Sequence, residues 1–281
     1  MPWADADRSS RPSGPGEEAP ELSIVIPVYN EVANLDALVQ ELNSIIPRFA
    51  PRFEVILVDD GSTDGGDSRL DAIALANPRF RVIHFKRNAG QSAALEAGFR
   101  AAWSPLVATM DADLQNDPSD LGAFLAELEH ADAVVGVRKQ RSDSWIRRIS
   151  SQIGNAVRNA ITGDHITDTG CSLKLFRAAY LRRIKMYVGM HRFLPTLLRQ
   201  EGARVIELTV HHRPRLHGKS KYGIANRALR GLVDCLAVRW MGQRRLRYQY
   251  REAPGERISL DTPSRSTRAA NRPAPRTRSL R

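Results

Sequence analysis

Apolar residues follow two different spacings along the first half of this 281-residue chain. Short apolar runs without polar alternation are typical of strands buried on both faces, and between them apolar residues recur at helical spacing. The helical spacing is clearest at Leu35, Leu38, Val39 and Leu42. Strands that alternate with helices in this way predict an α/β fold with a mostly parallel central sheet flanked by helices. The predicted strands are residues 22–29, 53–58, 80–85, 105–110 and 133–137.

The pattern is less regular in the second half of the chain. We expect a basic helix at residues 145–162, strands at 171–176 and 204–210, and a final helix from about 226 to 245. Packing against the core is the default interpretation of the apolar face of the final helix. The alternative is contact with a membrane interface, since an anionic leaflet would attract a basic helix. This face carries Leu229, Leu232, Val233, Leu236 and Trp240.

The two ends of the chain differ in composition from the middle. Residues 1–20 mix Pro, Gly, Ser and acidic side chains, and residues 251–281 are rich in Arg and Pro, so we expect a disordered arm and a disordered tail. No secretory signal and no apolar stretch of about 20 residues occurs, which favours a cytoplasmic protein, soluble or peripheral to a membrane. Cys171 and Cys235 have neither disulfide nor metal-ligand spacing, and we expect reduced thiols.

The formal net charge is +11 and the pI is about 10.2, so an anionic partner is expected. Nucleotide phosphates, an acidic membrane surface and nucleic acid are all anionic. Nucleic acid is disfavoured, because the chain has no strip of aromatic and basic residues. No Gly-X-Gly-X-X-Gly follows a strand, and Gly218-Lys219-Ser220 does not complete a P-loop because Arg213 replaces its first glycine.

Polar residues stand at the carboxyl ends of three predicted strands. Residues 27–31 follow the first strand, Asp59 and Asp60 the second, and Asp111 and Asp113 the fourth. Each group alone is compatible with a turn or a helix cap. In a parallel sheet, however, these ends meet at one edge, where ligands of open α/β sheets bind. Two carboxylates one residue apart also suit Mg²⁺ or Mn²⁺ shared with substrate phosphates.

Seven short motifs along the chain resemble those of family 2 glycosyltransferases, and more narrowly the dolichyl- and polyprenyl-phosphate sugar transferases. The resemblance implies a GT-A-like nucleotide-sugar-binding fold, with a catalytic domain at residues 21–225 followed by an amphipathic basic helix at 226–250. The motifs are Pro27-X-Tyr29-Asn30-Glu31, Asp59-Asp60-Gly61-Ser62, Gly90-Gln91-Ser92, Asp111-Ala112-Asp113-Leu114-Gln115, Gly136-X-Arg138, Asp168-X-Gly170-Cys171 and Gly218-X-Ser220-Lys221-Tyr222.

The resemblance also implies where the donor and a cation would bind. Mg²⁺ or Mn²⁺ would be held by Asp111, Asp113 and Gln115. Arg215 and Lys221 match a basic pair that grips the diphosphate. Together with these two residues, the nucleotide-sugar would contact Pro27, Tyr29, Glu31, Val58, Asp59, Asp60, Asp111, Ala112, Asp113 and Gln115.

The acceptor phosphate would meet a second group of residues, matched by Arg138, Arg147 and Ser151. A solvated helix face is the alternative interpretation of Arg147. Asp168 is a candidate catalytic base or orienting group, or else a turn residue before Gly170. The catalytic residues implied by the resemblance are therefore Asp113, Arg215, Lys221 and Asp168.

These residues imply an inverting, metal-dependent glycosyltransferase that moves a hexose, with mannose favoured, from a GDP- or UDP-linked donor. The acceptor would be polyprenyl or dolichyl phosphate at the cytoplasmic face of a membrane. A saccharide or lipid alcohol is the alternative acceptor. A basic nucleic-acid-binding protein and a catalytically inactive interaction protein are the alternatives from other classes.

Overall fold

The computed structural model describes residues 19–138, 145–214 and 225–245. In the helix that begins at 145, side chains are described from residue 154 onward, and in the helix that begins at 225 they are described from residue 231 onward. Most of the predicted arm at 1–20, the predicted tail at 251–281 and the end of the predicted helix at 226–250 lie outside these residues. The described strands are β1 (Leu22–Val28), β2 (Phe53–Asp59), β3 (Phe80–His84), β4 (Leu106–Thr109), β5 (Ala133–Arg138), β6 (Lys174–Arg177) and β7 (Val205–Val210).

These seven strands form one sheet in the order β3-β2-β1-β4-β6-β5-β7. β1 pairs in parallel with β2 and β4, β2 with β3, and β5 with β7. β6 is antiparallel to both of its neighbours, β4 and β5. The predicted α/β fold with a mostly parallel sheet is therefore confirmed.

Helices cover both faces of the sheet. One core contains apolar residues of the helices Val32–Ile45, Gly66–Ala76 and Asp120–Glu127, and the other contains apolar residues of the helices Gln91–Ala101, Ala178–Leu181, Leu194–Gln200 and Ala225–Gln243. Two 3-10 turns, Ile46–Arg48 and Met190–Phe193, complete the described helical structure. The helices are α1 (Val32–Ile45), α2 (Gly66–Ala76), α3 (Gln91–Ala101), α4 (Asp120–Glu127), α5 (Trp145–Thr162), α6 (Ala178–Leu181), α7 (Leu194–Gln200) and α8 (Ala225–Gln243).

The absence of polar alternation in β1 follows from this arrangement. Leu22, Ile24 and Ile26 enter one core while Val25, between them, enters the other. A strand with cores on both faces needs apolar residues at successive positions. Ser23 is the buried exception, and its Oγ donates to Glu54 Oε1 at 2.6 Å.

A crevice opens where the order of strands reverses, between the carboxyl ends of β1 and β4. The pairing of these strands ends at Val25 and Thr109, although β1 continues to Val28. Pro27, which has no backbone N–H, lies beyond the end of this pairing, where β4 no longer needs a donor. Such a switch point is the usual ligand site of an open α/β sheet.

The apolar face predicted for the final helix is not packed against the core. Leu232, Val233, Leu236 and Trp240 of α8 are exposed, so the default interpretation is wrong for these residues. The side of α8 that enters the core carries Cys235 and Val238. Among the described helices, none combines the length and the apolar character needed to cross a membrane.

Candidate active site

The loops after β1 and β2 are joined by hydrogen bonds at the edge of the crevice. The backbone N–H of Asn30 donates to Ser62 Oγ at 3.0 Å, and the N–H of Thr63 donates to Asn30 Oδ1 at 2.7 Å. Asn30 adopts a left-handed φ of 55°, which Asn tolerates better than most residues. The two loops therefore hold Tyr29, a partly exposed aromatic residue, at the mouth of the crevice.

Asp60 holds the turn that leads into α3. Its carboxylate accepts hydrogen bonds from the N–H groups of Ala89 at 2.6 Å and Gly90 at 2.9 Å. The side chain of Asn88 donates to it at 3.0 Å. Direct contact between Asp60 and a nucleotide stays a prediction, and the contacts in this structure are those of a group that shapes the site.

A cavity of about 570 Å³ lies beside Tyr29, between the loop after β2 and the residues that follow β3. Asp59 lines this cavity, and its Oδ2 lies 2.9 Å from Nδ1 of His84. The other ring nitrogen of His84 lies 3.1 Å from Asp71 Oδ1. Burial acts to raise the pKa of Asp59, but hydrogen bonds from Ser62 and His84 outweigh it and lower that pKa. Asp59 is therefore held as an anion in the wall of the cavity.

The two carboxylates after β4 belong to the β4–α4 loop, defined here as residues 110–119. Gln91 Nε2 donates to Asp111 Oδ1 at 3.1 Å, and the N–H of Gln115 donates to Asp113 Oδ1 at 3.2 Å. Asp111 is only partly exposed, and this burial, together with the negative charge of Asp113, raises its pKa. Ser172, Lys174 and Arg138 act in the opposite direction.

The two carboxylates fit a hard divalent cation, because their mutual repulsion would be relieved by positive charge between them. Among the described residues, no group of three or more His, Cys, Asp or Glu side chains forms a metal site. Phosphate oxygens and water usually complete the coordination of Mg²⁺ in sites with one or two carboxylates. Gln115 Nε2 lies 3.3 Å from the carbonyl oxygen of Arg213, so its role as third ligand stays a prediction.

Arg138 and Asp168 form a two-point ion pair near the carboxyl end of β5. Arg138 Nε donates to Asp168 Oδ2 at 2.8 Å, and its Nη2 donates to Oδ1 at 3.0 Å. The N–H of Gly170 also donates to Oδ1 at 3.0 Å. Burial opposes the charge of Arg138, but the hydrogen bonds and charge of Asp168 raise its pKa. Asp168 is thus bonded to Arg138 and to the backbone of Gly170, and its role as base or orienting group stays a prediction.

Several other predicted site residues are placed differently or lie outside the description. The side chain of Val58 is completely buried in the core on the α3 side of the sheet, and a contact between this residue and the nucleotide-sugar stays a prediction. Ala112 is also buried, beside Asp111. Arg215 and Lys221 lie outside the described residues, as do the side chains of Arg147 and Ser151.

Sequence reasoning did not find three residues that support the site. His84 bridges two carboxylates, Asn116 Oδ1 accepts a hydrogen bond from the N–H of Asp111, and the buried amine of Lys174 donates to the carbonyl of Cys171. The partners of His84 are distant in sequence, and those of Asn116 and Lys174 include backbone groups. No local sequence pattern therefore predicts these contacts.

The glycosyl transferase family 2 model matches residues 23–185. Two relatives are similar over most of this chain. The dodecaprenyl-phosphate galacturonate synthase of Rhizobium johnstonii is 39% identical over 249 residues, which are 84% of this chain and 69% of that protein. The undecaprenyl-phosphate 4-deoxy-4-formamido-L-arabinose transferase of Aeromonas hydrophila is 38% identical over 221 residues, 77% of this chain and 68% of that protein.

Solved structures share the fold at lower identity. Glucosyl-3-phosphoglycerate synthase from Mycobacterium tuberculosis, in complex with Mg²⁺ and UDP, has a TM-score of 0.59 at 17% identity, covering 78% of this chain and 80% of that one. A mannosyltransferase from Pyrobaculum calidifontis, in complex with GDP-mannose and Mn²⁺, has a TM-score of 0.52 at 21% identity, covering 68% of this chain and 55% of that one. The fold is thus GT-A-like, and the chain belongs to glycosyl transferase family 2 and is a glycosyltransferase.

Proposed function

We propose that this glycosyltransferase moves a sugar from a nucleotide-linked donor to a polyprenyl phosphate at a membrane surface. The observation that carries the proposal is the carboxylate pair Asp111 and Asp113, which follows β4 at the switch point of the sheet. The cavity lined by Tyr29 and Asp59 lies at the same edge, at the carboxyl ends of β1 and β2. The names of the two similar relatives support the acceptor, because both contain a polyprenyl phosphate.

The donor would be placed with its base in the cavity and its diphosphate toward the carboxylate pair. Asp111 and Asp113 would hold Mg²⁺ or Mn²⁺, whose charge offsets the negative charge that grows on the departing diphosphate. Arg215 and Lys221, which are predicted to grip the same diphosphate, would add to this effect.

The acceptor phosphate is the nucleophile in this proposal. A phosphate monoester has a second pKa of about 6, so at neutral pH it is mostly dianionic and needs no general base. Its oxygen forms the new bond to the anomeric carbon while the bond to the diphosphate breaks and its electron pair leaves with the diphosphate. Attack from the face opposite the leaving group inverts the anomeric centre.

Asp168 and Arg138 fit a reaction that needs no base. Asp168 is committed to the Arg138 guanidinium, two of whose five N–H donors it accepts. Among the described residues no other acceptor meets the Arg138 guanidinium, so its remaining donors could guide a phosphate, with geometry fixed by the ion pair. We therefore propose that Asp168 orients Arg138 for the acceptor and does not remove a proton.

The mannose donor expected from the sequence is one option among several. The two relatives are named for galacturonate and for 4-deoxy-4-formamido-L-arabinose, so the assay should include UDP-linked donors of both types as well as GDP-mannose and UDP-glucose. The nucleotide base and the sugar are then identified by which donor supports transfer.

The direct test is transfer of labelled sugar to undecaprenyl phosphate by purified full-length protein with Mn²⁺. We expect activity to be abolished by a chelator, and Asp111→Asn or Asp113→Asn to lower it about 100-fold or more. Asp36→Asn is the control, since Asp36 is an exposed residue of α1 paired with Arg69. Failure of every donor to be transferred, or full activity in Asp113→Asn, would overturn the proposal.

A further inference from the structure

The segment that follows β7 is bonded to the β4–α4 loop. The N–H of Arg213 donates to the carbonyl of Gln115 at 2.9 Å, and the amide of Gln115 lies 3.3 Å from the carbonyl of Arg213. Asn116 and His212 form an isolated antiparallel bridge beside this pair. The loop that contains the candidate cation ligands is therefore attached through two consecutive residues, Gln115 and Asn116, to the segment after β7.

The side chain of Arg213 joins the same loop to α1. Its Nη1 lies 2.5 Å from Oε1 of Glu41, and its Nη2 lies 2.7 Å from Oδ2 of Asp117. Glu41 belongs to α1, which is anchored in the core by Leu38 and Leu42. Arg213 thus connects the β4–α4 loop, through Asp117, to a firmly packed helix, through Glu41.

The β4–α4 loop contains a backbone conformation that needs such support. Leu114, between the two candidate ligands Asp113 and Gln115, has a φ of 61°. A left-handed conformation is costly for a branched side chain and persists only where the surroundings impose it. Leu114 lies with Glu41 and Arg213 around a cavity of about 520 Å³, so the strained residue is next to the ion pairs.

The support reaches Asp111 through Asn116. Its Oδ1 accepts a hydrogen bond from the N–H of Asp111 at 3.1 Å and another from Ser172 Oγ at 2.8 Å. A shift of the segment around Asn116 would consequently move the backbone of Asp111. Arg213 is thus linked to the carboxylate pair through Gln115, the adjacent Asn116 and the N–H of Asp111.

We propose that Arg213, with Glu41 and Asp117, is a positioning residue that holds the β4–α4 loop in the shape that binds a divalent cation. The inference rests on the proposed function, because it concerns the cation that the donor diphosphate shares. Arg213 acts through the loop in this proposal and does not itself touch the diphosphate.

The test is the affinity for Mn²⁺, measured by electron paramagnetic resonance in the presence of UDP or GDP, without turnover. We expect Arg213→Gln and Asp117→Asn each to weaken Mn²⁺ binding by about 10-fold or more, the usual effect of removing a group that supports a metal ligand. The variant that combines both changes should bind Mn²⁺ no more weakly than Arg213→Gln alone, because Arg213→Gln already removes the contact with Asp117. Arg213→Lys should recover part of the affinity.

Saturating Mn²⁺ provides a second measurement. Transfer activity of Arg213→Gln should approach that of the wild type as Mn²⁺ is raised, which a general loss of folding would not allow. Arg69→Gln is the matched control, because Arg69 also joins two helices through an exposed ion pair, with Asp36, and lies outside the site. Its Mn²⁺ affinity should equal that of the wild type.

The outcomes separate this inference from the proposed function. A wild type that binds neither Mn²⁺ nor nucleotide overturns both. A wild type that binds them, with Arg213→Gln unchanged, overturns only the positioning role. Weak binding in Arg213→Gln but normal binding in Asp117→Asn and Glu41→Gln would mean that Arg213 contacts the diphosphate directly, which also contradicts the inference.

Discussion

At the scale of single residues, the contacts of His84 in the cavity beside Tyr29 favour the protonated form of its ring. It faces Asp59 at the end of β2 and Asp71 on α2, while Asp67 of α2 and Lys86 line the same cavity. Burial opposes its charge, but the hydrogen bonds with Asp59 and Asp71 outweigh burial and raise its pKa above 6.5. Protonated His84 can donate to both carboxylates at once.

The sign of the resulting pH dependence follows from this raised pKa. The bridge contributes its full stability below pH 6.5, the pKa of an unperturbed His, and loses it as the pH rises through the higher pKa of the folded state. We therefore expect the free energy of unfolding in urea to fall between pH 6 and 8.5 more in the wild type than in His84→Gln. An NMR titration of His84 should give a pKa above 6.5 in the wild type and a lower one in Asp71→Asn.

Asp67→Asn is the matched control for this titration. It removes a carboxylate from the same helix and the same cavity, and Asp67 is not among the groups that shift the pKa of His84. The pKa of His84 should change less in Asp67→Asn than in Asp71→Asn. A His84 that titrates at or below 6.5 in the wild type would show that the two carboxylates do not control its charge.

The adjacent residues Asp59 and Asp60 mark the limit of prediction at this scale. Their position after a buried strand was enough to place both at the ligand-binding edge of the sheet. Their separate contacts could not be predicted, because Asp59 meets His84 and Asp60 meets residues 88–90, all at least 25 positions away. The sequence marks Arg213 only as the residue that replaces the first glycine of a P-loop. Its ion pairs with Glu41 and Asp117 could not be predicted, because these carboxylates become its neighbours only on folding.

At the scale of elements, Gly98 fixes how closely α3 lies against β1. A Cβ built at this position would lie 2.2 Å from Cγ1 of Val25, which is fully buried in β1. Gly98→Ala therefore forces α3 away from the sheet, and we expect the free energy of unfolding to fall by about 1–3 kcal/mol. Urea denaturation followed by circular dichroism measures this change.

A glycine in open space supplies the comparison for Gly98. Gly154 is an exposed residue of α5, and an added Cβ there would meet no atom of the described residues within 4 Å outside the backbone of its own helix. Gly154→Ala should leave stability unchanged or raise it by up to about 1 kcal/mol, because Ala has the higher helix propensity. If Gly98→Ala were as stable as Gly154→Ala, the close contact between α3 and β1 would be contradicted.

The strands and the long helices were predictable because their apolar residues have a period that local sequence reveals. The direction of β6 was not, since a four-residue strand has the same pattern whether it runs parallel or antiparallel to its neighbours. The short helices α6 and α7, of four and seven residues, also lack enough turns to show a period. The irregular second half of the sheet thus depends on tertiary contacts.

At the scale of the whole molecule, the exposed apolar residues of α8 lie on one side of the helix and are accompanied by exposed basic side chains. Leu232, Leu236 and Trp240 are spaced by four residues, and Trp240 is 60% exposed. Arg239 is also exposed and donates to the carbonyl of Ile161. An apolar stripe with positive charge fits the interface of an anionic bilayer, where a polyprenyl phosphate acceptor would reside.

We predict that the full chain binds vesicles that contain phosphatidylglycerol, and that Leu236→Glu combined with Trp240→Glu weakens this binding at least about 10-fold. The reason is that the side chains would no longer gain the roughly 1.5–3 kcal/mol that burial of a large apolar group provides. Co-sedimentation with vesicles measures the affinity, and binding should fall with added salt or with neutral phosphatidylcholine because the basic residues contribute.

Leu75→Glu is the control, since Leu75 of α2 is 90% exposed but stands outside the stripe. Equal vesicle binding by wild type and double variant would contradict a membrane role for α8, and a halved mass of the variant in sedimentation equilibrium would assign the stripe to a second copy of the chain.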